Sequence, residues 1–186
     1  MPHSNHNHPY IPDAEALLGA LVEALHADAG PDMALVGIHT GGVWLAERLH
    51  AALGLSMPLG SIDVSYYRDD YGSRGSRGNR GLPRGNKASS IPFEVDGANI
   101  VIVDDVLYTG RTIRAAMNEL FDYGRPGRID LAVLVDRGDR ELPIFARYCA
   151  HTLSAPLPAT QELVLTRAGN DIQSPLSLML KEKRDA

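Results

Sequence analysis

The sequence predicts an α/β protein with a parallel central sheet flanked by helices. Short continuous apolar runs alternate with helix-period segments, each run stops at a polar or glycine-bearing turn, and the runs are rich in Val, Ile and Leu, as strands buried on both faces require. The 186 residues are enough for one domain with its own core. Hydrophobic residues make up 44% and charged residues 22% of the chain, the ordinary balance of a soluble protein. No apolar run approaches the roughly 18 residues that a membrane span needs, so no membrane partner is expected.

Asp13 can cap a helix over Asp13 to Asp28, in which Leu17, Leu18, Leu21, Val22 and Leu25 share one face and Gly30-Pro31 follow the end. Met33 to Ile38 (MALVGI) reads as a buried strand that stops at the turn His39-Thr40-Gly41-Gly42. Val43 to Leu53 reads as a helix closed by Gly54, and Leu59 to Tyr67 as a second strand. Arg68 to Ser90 has almost no apolar residue and is expected to be a flexible loop; an alternative pairs Ile91 to Val95 back as a strand, making a long hairpin. Asn99 to Val103 is the third strand. Thr109 then caps a helix whose stripe is Ile113, Ala116, Met117, Leu120 and Phe121, up to Gly124. Arg128 to Val135 is a fourth strand, with weaker signals at Ala146 to Leu153 and Glu162 to Thr166. The expected organisation is a flexible tail over 1–12, a domain over 13–166 with its loop at 68–90, and a C-terminal tail over 167–186. Within that tail, a helix at Pro175 to Lys183 and fraying are both open.

The charge of -5 argues against a surface built wholly for nucleic acid. Arg68, Arg74, Arg77, Arg80, Arg84 and Lys87 nevertheless cluster in the loop, offset only by Asp69 and Asp70, which suits a local anionic partner. Cys149 is the only cysteine, which excludes an internal disulfide and a cysteine-built zinc site; a buried, inert thiol is expected. Met1 to Pro9 carries His3, His6 and His8 without an apolar segment or basic flank. It reads as a polar tail with no secretory signal and no specific metal site, and the cytoplasm is the expected location.

The chemistry concentrates in Asn99 to Thr112 (NIVIVDDVLYTGRT). A buried strand delivers Asp104 and Asp105 to the carboxyl edge of the sheet, where ligands of open α/β folds bind. The turn Tyr108-Thr109-Gly110-Arg111-Thr112 then opens onto a helix, whose free N–H groups and dipole, with two threonine hydroxyls, favour a phosphate. Carboxylates accept from ribose hydroxyls, so together these residues suit a ribose 5-phosphate. No Gly-x4-Gly-Lys-[Ser/Thr] loop occurs, and no Gly-x-Gly-x-x-Gly follows a strand.

VIVDDVLYTGRT resembles the phosphoribosyl pyrophosphate (PRPP) signature of type I phosphoribosyltransferases. VGIHTGGVWLAERL, DVSYYRDD and LAVLVDRGDRELPI are similar to the pyrimidine operon regulator and uracil phosphoribosyltransferase (PyrR) family, over about Leu35 to Tyr148. The resemblance implies the type I phosphoribosyltransferase fold, with a small hood and a flexible loop, and transfer of phosphoribose from PRPP to uracil, giving UMP and pyrophosphate with substrate-borne Mg²⁺. It assigns the ribose hydroxyls to Asp104 and Asp105, the 5-phosphate to Tyr108, Thr109, Gly110, Arg111 and Thr112, and the pyrophosphate to Thr40, Gly41 and Gly42 with Arg68. The base hood falls at Asp136 and Arg137, and no protein metal ligand is named.

Purine-using relatives commonly have an acid where this chain has Tyr108, so the resemblance favours a pyrimidine. Gly41 stands where the family usually has arginine and His39 where lysine is frequent, which should weaken pyrophosphate binding unless the basic loop compensates. The alternative within the resemblance is an RNA-binding attenuation protein that senses UMP or PRPP with little catalysis. Against it, the first helix has no Lys or Arg, Asp139 replaces a frequent histidine, and only Arg137, Arg140 and Arg147 offer a compact basic group near the hood. A third reading is a nucleotide-binding protein without either activity. Dimers or tetramers are common in the family, so a homo-oligomer is expected.

Overall fold

The computed structural model describes residues 10–64 and 89–183. Its centre is a five-stranded sheet ordered β2-β1-β3-β4-β5 with every pair parallel, formed by β1 (Met33–Ile38), β2 (Gly60–Ile62), β3 (Asn99–Leu107), β4 (Arg128–Asp136) and β5 (Tyr148–Thr152). All six residues of β1 are buried, as its unbroken apolar run requires of a strand covered on both faces. Helices α1 (Ala14–His26) and α2 (Gly41–Leu53) cover one face, where Leu21, Leu25, Leu45 and Leu49 meet Leu35, Val101 and Val103. Helix α3 (Arg111–Tyr123) covers the other with Ile113, Ala116 and Leu120 against Ile100, Ile102 and Val133.

Asp13 caps α1, its carboxylate accepting from the Ala16 amide at 2.8 Å. Helix α2 begins at Gly41, so the two glycines belong to its first turn and not to a loop before Val43. The second strand is only three residues long; Tyr66 and Tyr67 of the expected strand, together with Arg68 and the basic loop up to Lys87, lie outside the described residues. The chain returns by an antiparallel bridge of Ser90 to Ser61, earlier than the expected pairing of Ile91 to Val95.

Three further differences bear on the site. Strand β3 continues to Leu107, four residues beyond the expected end, because β4 pairs with it as far as Leu107 against Asp136. Asp104 and Asp105 therefore sit in the strand. Phe121 is 54% exposed and is not part of the α3 stripe: it lies one position past Leu120, where the helical rotation has carried the side chain off the core. After β6 (Gln161–Arg167), Leu176–Glu182 forms a strand, β7, where a helix or frayed tail was expected. Antiparallel pairing with β6 and burial of Leu176 and Leu178 beside Leu163 and Leu165 override the weak helical pattern. Cys149 is half-buried in β5, its thiol donating to the His151 carbonyl at 3.2 Å.

Candidate active site

The carboxyl ends of β3 and β4 open into a cavity of about 250 Å³. Asp104, Asp105, Tyr108, Thr109, Gly110 and Thr112 line it, Arg137 enters from the end of β4, and Glu162, Leu163 and Val164 enter from β6. Strand geometry sends neighbouring side chains to opposite faces, which separates the two acids. Asp104 is buried at 3% exposure and its Oδ1 accepts from the Asp105 amide at 3.0 Å, while Asp105 turns toward α2.

The turn after β3 is set by Gly110, whose φ of 92° places it in the left-handed region that glycine enters freely. Gly110 is also the N-cap position of α3, one residue after the Thr109 expected from the sequence. Thr109 is buried, and its hydroxyl accepts from the Arg111 amide at 3.3 Å. From behind, the Thr109 carbonyl accepts from the Glu141 and Leu142 amides at 3.0 and 3.1 Å, and Arg111 pairs with Glu141 at 2.6 Å. The turn is thus braced by the loop after β4, leaving the α3 N-terminus toward the cavity as a place for an anion.

Thr40 is the N-cap position of α2, and Gly41 and Gly42 reach the acids from that helix; none of the three lines the cavity. Gly41 packs directly under the Asp105 carboxylate, and Gly42 lies against the Val103 carbonyl and Asp104 Cα. This tight seat is a physical reason for the consecutive glycines.

Arg137 is 5% exposed, stacks on the Tyr108 ring at 3.8 Å, and has no partner at Nε or Nη2 among the described residues. These two N–H groups form one edge of the guanidinium fork, and a buried donor pair without acceptors fits an oxygen-rich ligand. Asp136, expected beside it in the hood, is engaged otherwise: Oδ1 accepts from the Gly138 amide at 2.9 Å and Oδ2 from Arg140 at 2.5 Å.

The sequence reading missed Glu162, Leu163 and Val164 as cavity residues, and Lys183, whose ammonium lies 5.8 Å from the Tyr108 ring. Alternation in QELVLTR signals the strand but not which end of the sheet it covers. The expected basic group near the hood is corrected: Arg147 precedes β5 at the amino end of the sheet and pairs with Asp28 at 2.8 Å, away from the cavity that Arg137 lines.

Residues 8–150 match the phosphoribosyl transferase domain family. A Bifunctional protein PyrR of Ralstonia nicotianae is 47% identical over 162 residues, covering 84% of this chain and 87% of that protein. The chain belongs to the PyrR family of type I phosphoribosyltransferases. A second Bifunctional protein PyrR, from Pseudomonas paraeruginosa, is 55% identical over 119 residues; the match covers 64% of this chain and 66% of that protein, just under two thirds of its length. Among solved structures, a purine phosphoribosyltransferase from Pyrococcus horikoshii Ot3 aligns at TM-score 0.54 and 27% identity, covering 77% of this chain and 84% of that one. Membership therefore fixes the family and the fold, and leaves the reaction and the base to be argued. No helix among the described residues is long and apolar enough to cross a membrane.

Proposed function

We propose that this chain transfers the 5-phosphoribosyl group of PRPP to uracil, forming UMP and pyrophosphate. The observation that carries the reading is the meeting, in one cavity, of the Asp104-Asp105 pair, the Thr109 to Thr112 turn at the α3 N-terminus and the buried Arg137 fork. Asp104 and Asp105 accept from the ribose hydroxyls. The amides and hydroxyls of Tyr108 to Thr112 hold the 5-phosphate. Thr40, Gly41 and Gly42 take the pyrophosphate in this reading; Arg68, the other residue expected to contact it, lies outside the described residues. Arg137 donates to a carbonyl of the base, and Tyr108, where purine enzymes commonly carry an acid, favours the pyrimidine.

Uracil N1 attacks the ribose C1 carbon as the bond from C1 to pyrophosphate breaks; the electron pair leaves with pyrophosphate and the N1 proton is released. No protein nucleophile is needed. The chain contributes alignment of the reactants and a dry, charged wall around the developing oxocarbenium. Mg²⁺ would suit this site as a substrate-borne ion, since Asp104 and Asp105 line the cavity and supply hard oxygen neighbours. When bound, it neutralises the leaving group.

A second reading is kept by one observation: the curated relatives are named bifunctional. It holds that the same pocket senses UMP or PRPP and that the protein binds RNA to attenuate transcription of pyrimidine genes. The dispersal of Arg137, Arg140 and Arg147 weighs against a compact cationic face among the described residues.

The test is UMP formation from uracil, PRPP and Mg²⁺, with the Asp104→Asn, Asp105→Asn double variant as control, other bases in parallel, and gel-shift titration of pyrimidine-operon leader RNA with and without UMP. Uracil-dependent turnover lost in the double variant supports the enzyme reading. UMP binding and UMP-dependent RNA binding without turnover on any base would replace it with the sensor.

A further inference from the structure

We infer that Arg140 is a positioning residue: a strut that fixes the distance between the phosphate turn and the hood. Its side chain is 14% exposed and spans the gap between them. On one side Nη1 donates to the Tyr108 carbonyl, the first residue of the phosphate turn. On the other, Nη2 donates to Asp136 Oδ2 at 2.5 Å, and Nη1 also reaches the Gly138 carbonyl at 3.4 Å. A planar guanidinium can serve acceptors on two walls at once; a lysine ammonium, a single point of charge, cannot hold the same spacing.

The backbone that delivers Arg140 is unusual. Gly138 and Asp139 both have positive φ, 78° and 53°, and the second is not glycine. A non-glycine residue in that region is disfavoured, and persists where its surroundings determine it. The reversal at these two residues brings Arg140 back onto Tyr108 and Asp136, and the Asp136 carboxylate completes it by accepting the Gly138 amide at 2.9 Å.

The strut has a second effect. Asp136 is the acid adjacent in sequence to Arg137, yet both its oxygens are taken by Gly138 and Arg140. Asp136 is directed to these two groups, and among the described residues the Arg137 Nε and Nη2 donors have no partner. Arg140 holds Asp136 away from Arg137 and so keeps the cavity-facing fork available. This deepens the proposed function, on which it rests for the identity of the ligand: a molecule carrying phosphate at one end and an acceptor-bearing base at the other is gripped at both ends only if the two walls keep their spacing.

The test uses the full chain with Arg140→Ala and Arg140→Lys. In ligand-free protein, amide hydrogen exchange is followed at Gly138, Glu141 and Leu142, whose bonds lie on the two walls. Calorimetry then gives affinities for UMP and for ribose 5-phosphate, and thermal midpoints are recorded. Exchange should accelerate at all three amides in both variants. UMP binding should weaken by about tenfold or more while ribose 5-phosphate weakens by no more than about threefold, because misplacement penalises a ligand held at both ends. Arg140→Lys should keep a midpoint near wild type through its pairing with Asp136 without recovering UMP affinity. Wild-type UMP affinity in Arg140→Lys, or unchanged exchange in both variants, would overturn the strut. A wild-type protein that binds ribose 5-phosphate but not UMP would instead remove the base assignment, and the exchange measurement would still decide the strut separately.

Discussion

The Asp105 carboxylate occupies the space that a side chain on Gly41 would need: a Cβ at Gly41 would lie 2.5 Å from Asp105 Oδ2 and 2.7 Å from its Cγ. The neighbouring glycine is confined differently, since a Cβ on Gly42 would collide with the Val103 carbonyl oxygen and stand 3.0 Å from Asp104 Cα. One obstacle is the mobile end of a side chain and the other is the backbone of the central strand. Gly41→Ala should therefore lower stability by only about 1 kcal/mol while swinging Asp105 aside and weakening UMP about tenfold, whereas Gly42→Ala should lower stability by about 3 kcal/mol or more. Urea unfolding and UMP calorimetry on both variants check this. A double-mutant cycle of Gly41→Ala with Asp105→Ala should show the stability penalty of Gly41→Ala relieved once the carboxylate is gone. The cycle also bears on the missing arginine at position 41: a larger side chain cannot be restored there without moving Asp105.

Arg137 gives the opposite sign. Its guanidinium is buried with two donors unsatisfied among the described residues, and an uncompensated buried charge destabilises the folded state. Arg137→Met keeps much of the volume stacked on Tyr108 and removes the charge. Its thermal midpoint should equal or exceed that of wild type while UMP affinity falls by about tenfold or more, the order expected for loss of a charge-assisted hydrogen bond. Differential scanning calorimetry with and without UMP checks both halves. A variant that is less stable but still binds UMP would make Arg137 a structural residue.

Ligand binding should itself report the site. A molecule that binds only the folded state stabilises it in proportion to the logarithm of its concentration, by about 2.7 kcal/mol at 100 times the dissociation constant. UMP should raise the wild-type midpoint and leave the Asp104→Asn, Asp105→Asn variant much less affected, measured by thermal shift across a UMP titration. An equal rise in both proteins would place UMP away from the acid pair.

The contrast between Asp105 and Arg137 also shows what was legible in the sequence. Apolar runs disclosed β1, β3 and β4, because strands buried on both faces need no partner to be recognised, and the DDVLYTGRT segment disclosed together the acids and the turn into α3 that line the cavity, since they are contiguous. The end of β3 was not legible: two aspartates read as an edge until pairing with β4 carries the strand to Leu107. Nor was the work of Arg140, whose three acceptors are the Tyr108 carbonyl, the Gly138 carbonyl and Asp136, one of them 32 positions away. The β6-β7 hairpin was partly legible by alternation, but its docking depends on contacts no local pattern contains, such as Arg167 reaching Glu47 at 3.0 Å over the Trp44 ring.

That docking yields a pH dependence. Glu15 in α1 ties three elements: its Oε1 accepts from the Leu176 amide of β7 at 2.8 Å, and its Oε2 accepts from Arg48 of α2 at 2.7 Å. Burial works upward on the Glu15 carboxyl, but the Leu176 amide and then the Arg48 guanidinium outweigh it, together with a small opposing effect of Asp13, and hold it below the usual carboxylate value. The folded carboxyl thus gives up its proton more readily than the unfolded one. Its contribution is fully present above the unfolded value of about 4.3 and is lost as the pH falls through the folded value, where the unfolded chain has already taken up its proton. Asp28 is lowered as well, first by the Tyr148 hydroxyl and then by Arg147, so two carboxylates steepen the acid limb. Glu15→Gln removes one of them: urea midpoints measured from neutral pH down into the acid limb should fall less steeply than in wild type, with the variant less stable at neutral pH and the two curves converging in acid. Parallel curves would mean that the bond to β7 does not depend on the charge of Glu15, and that the hairpin is held by its other contacts, the buried Leu163, Leu165, Leu176 and Leu178 and the Arg167–Glu47 pair.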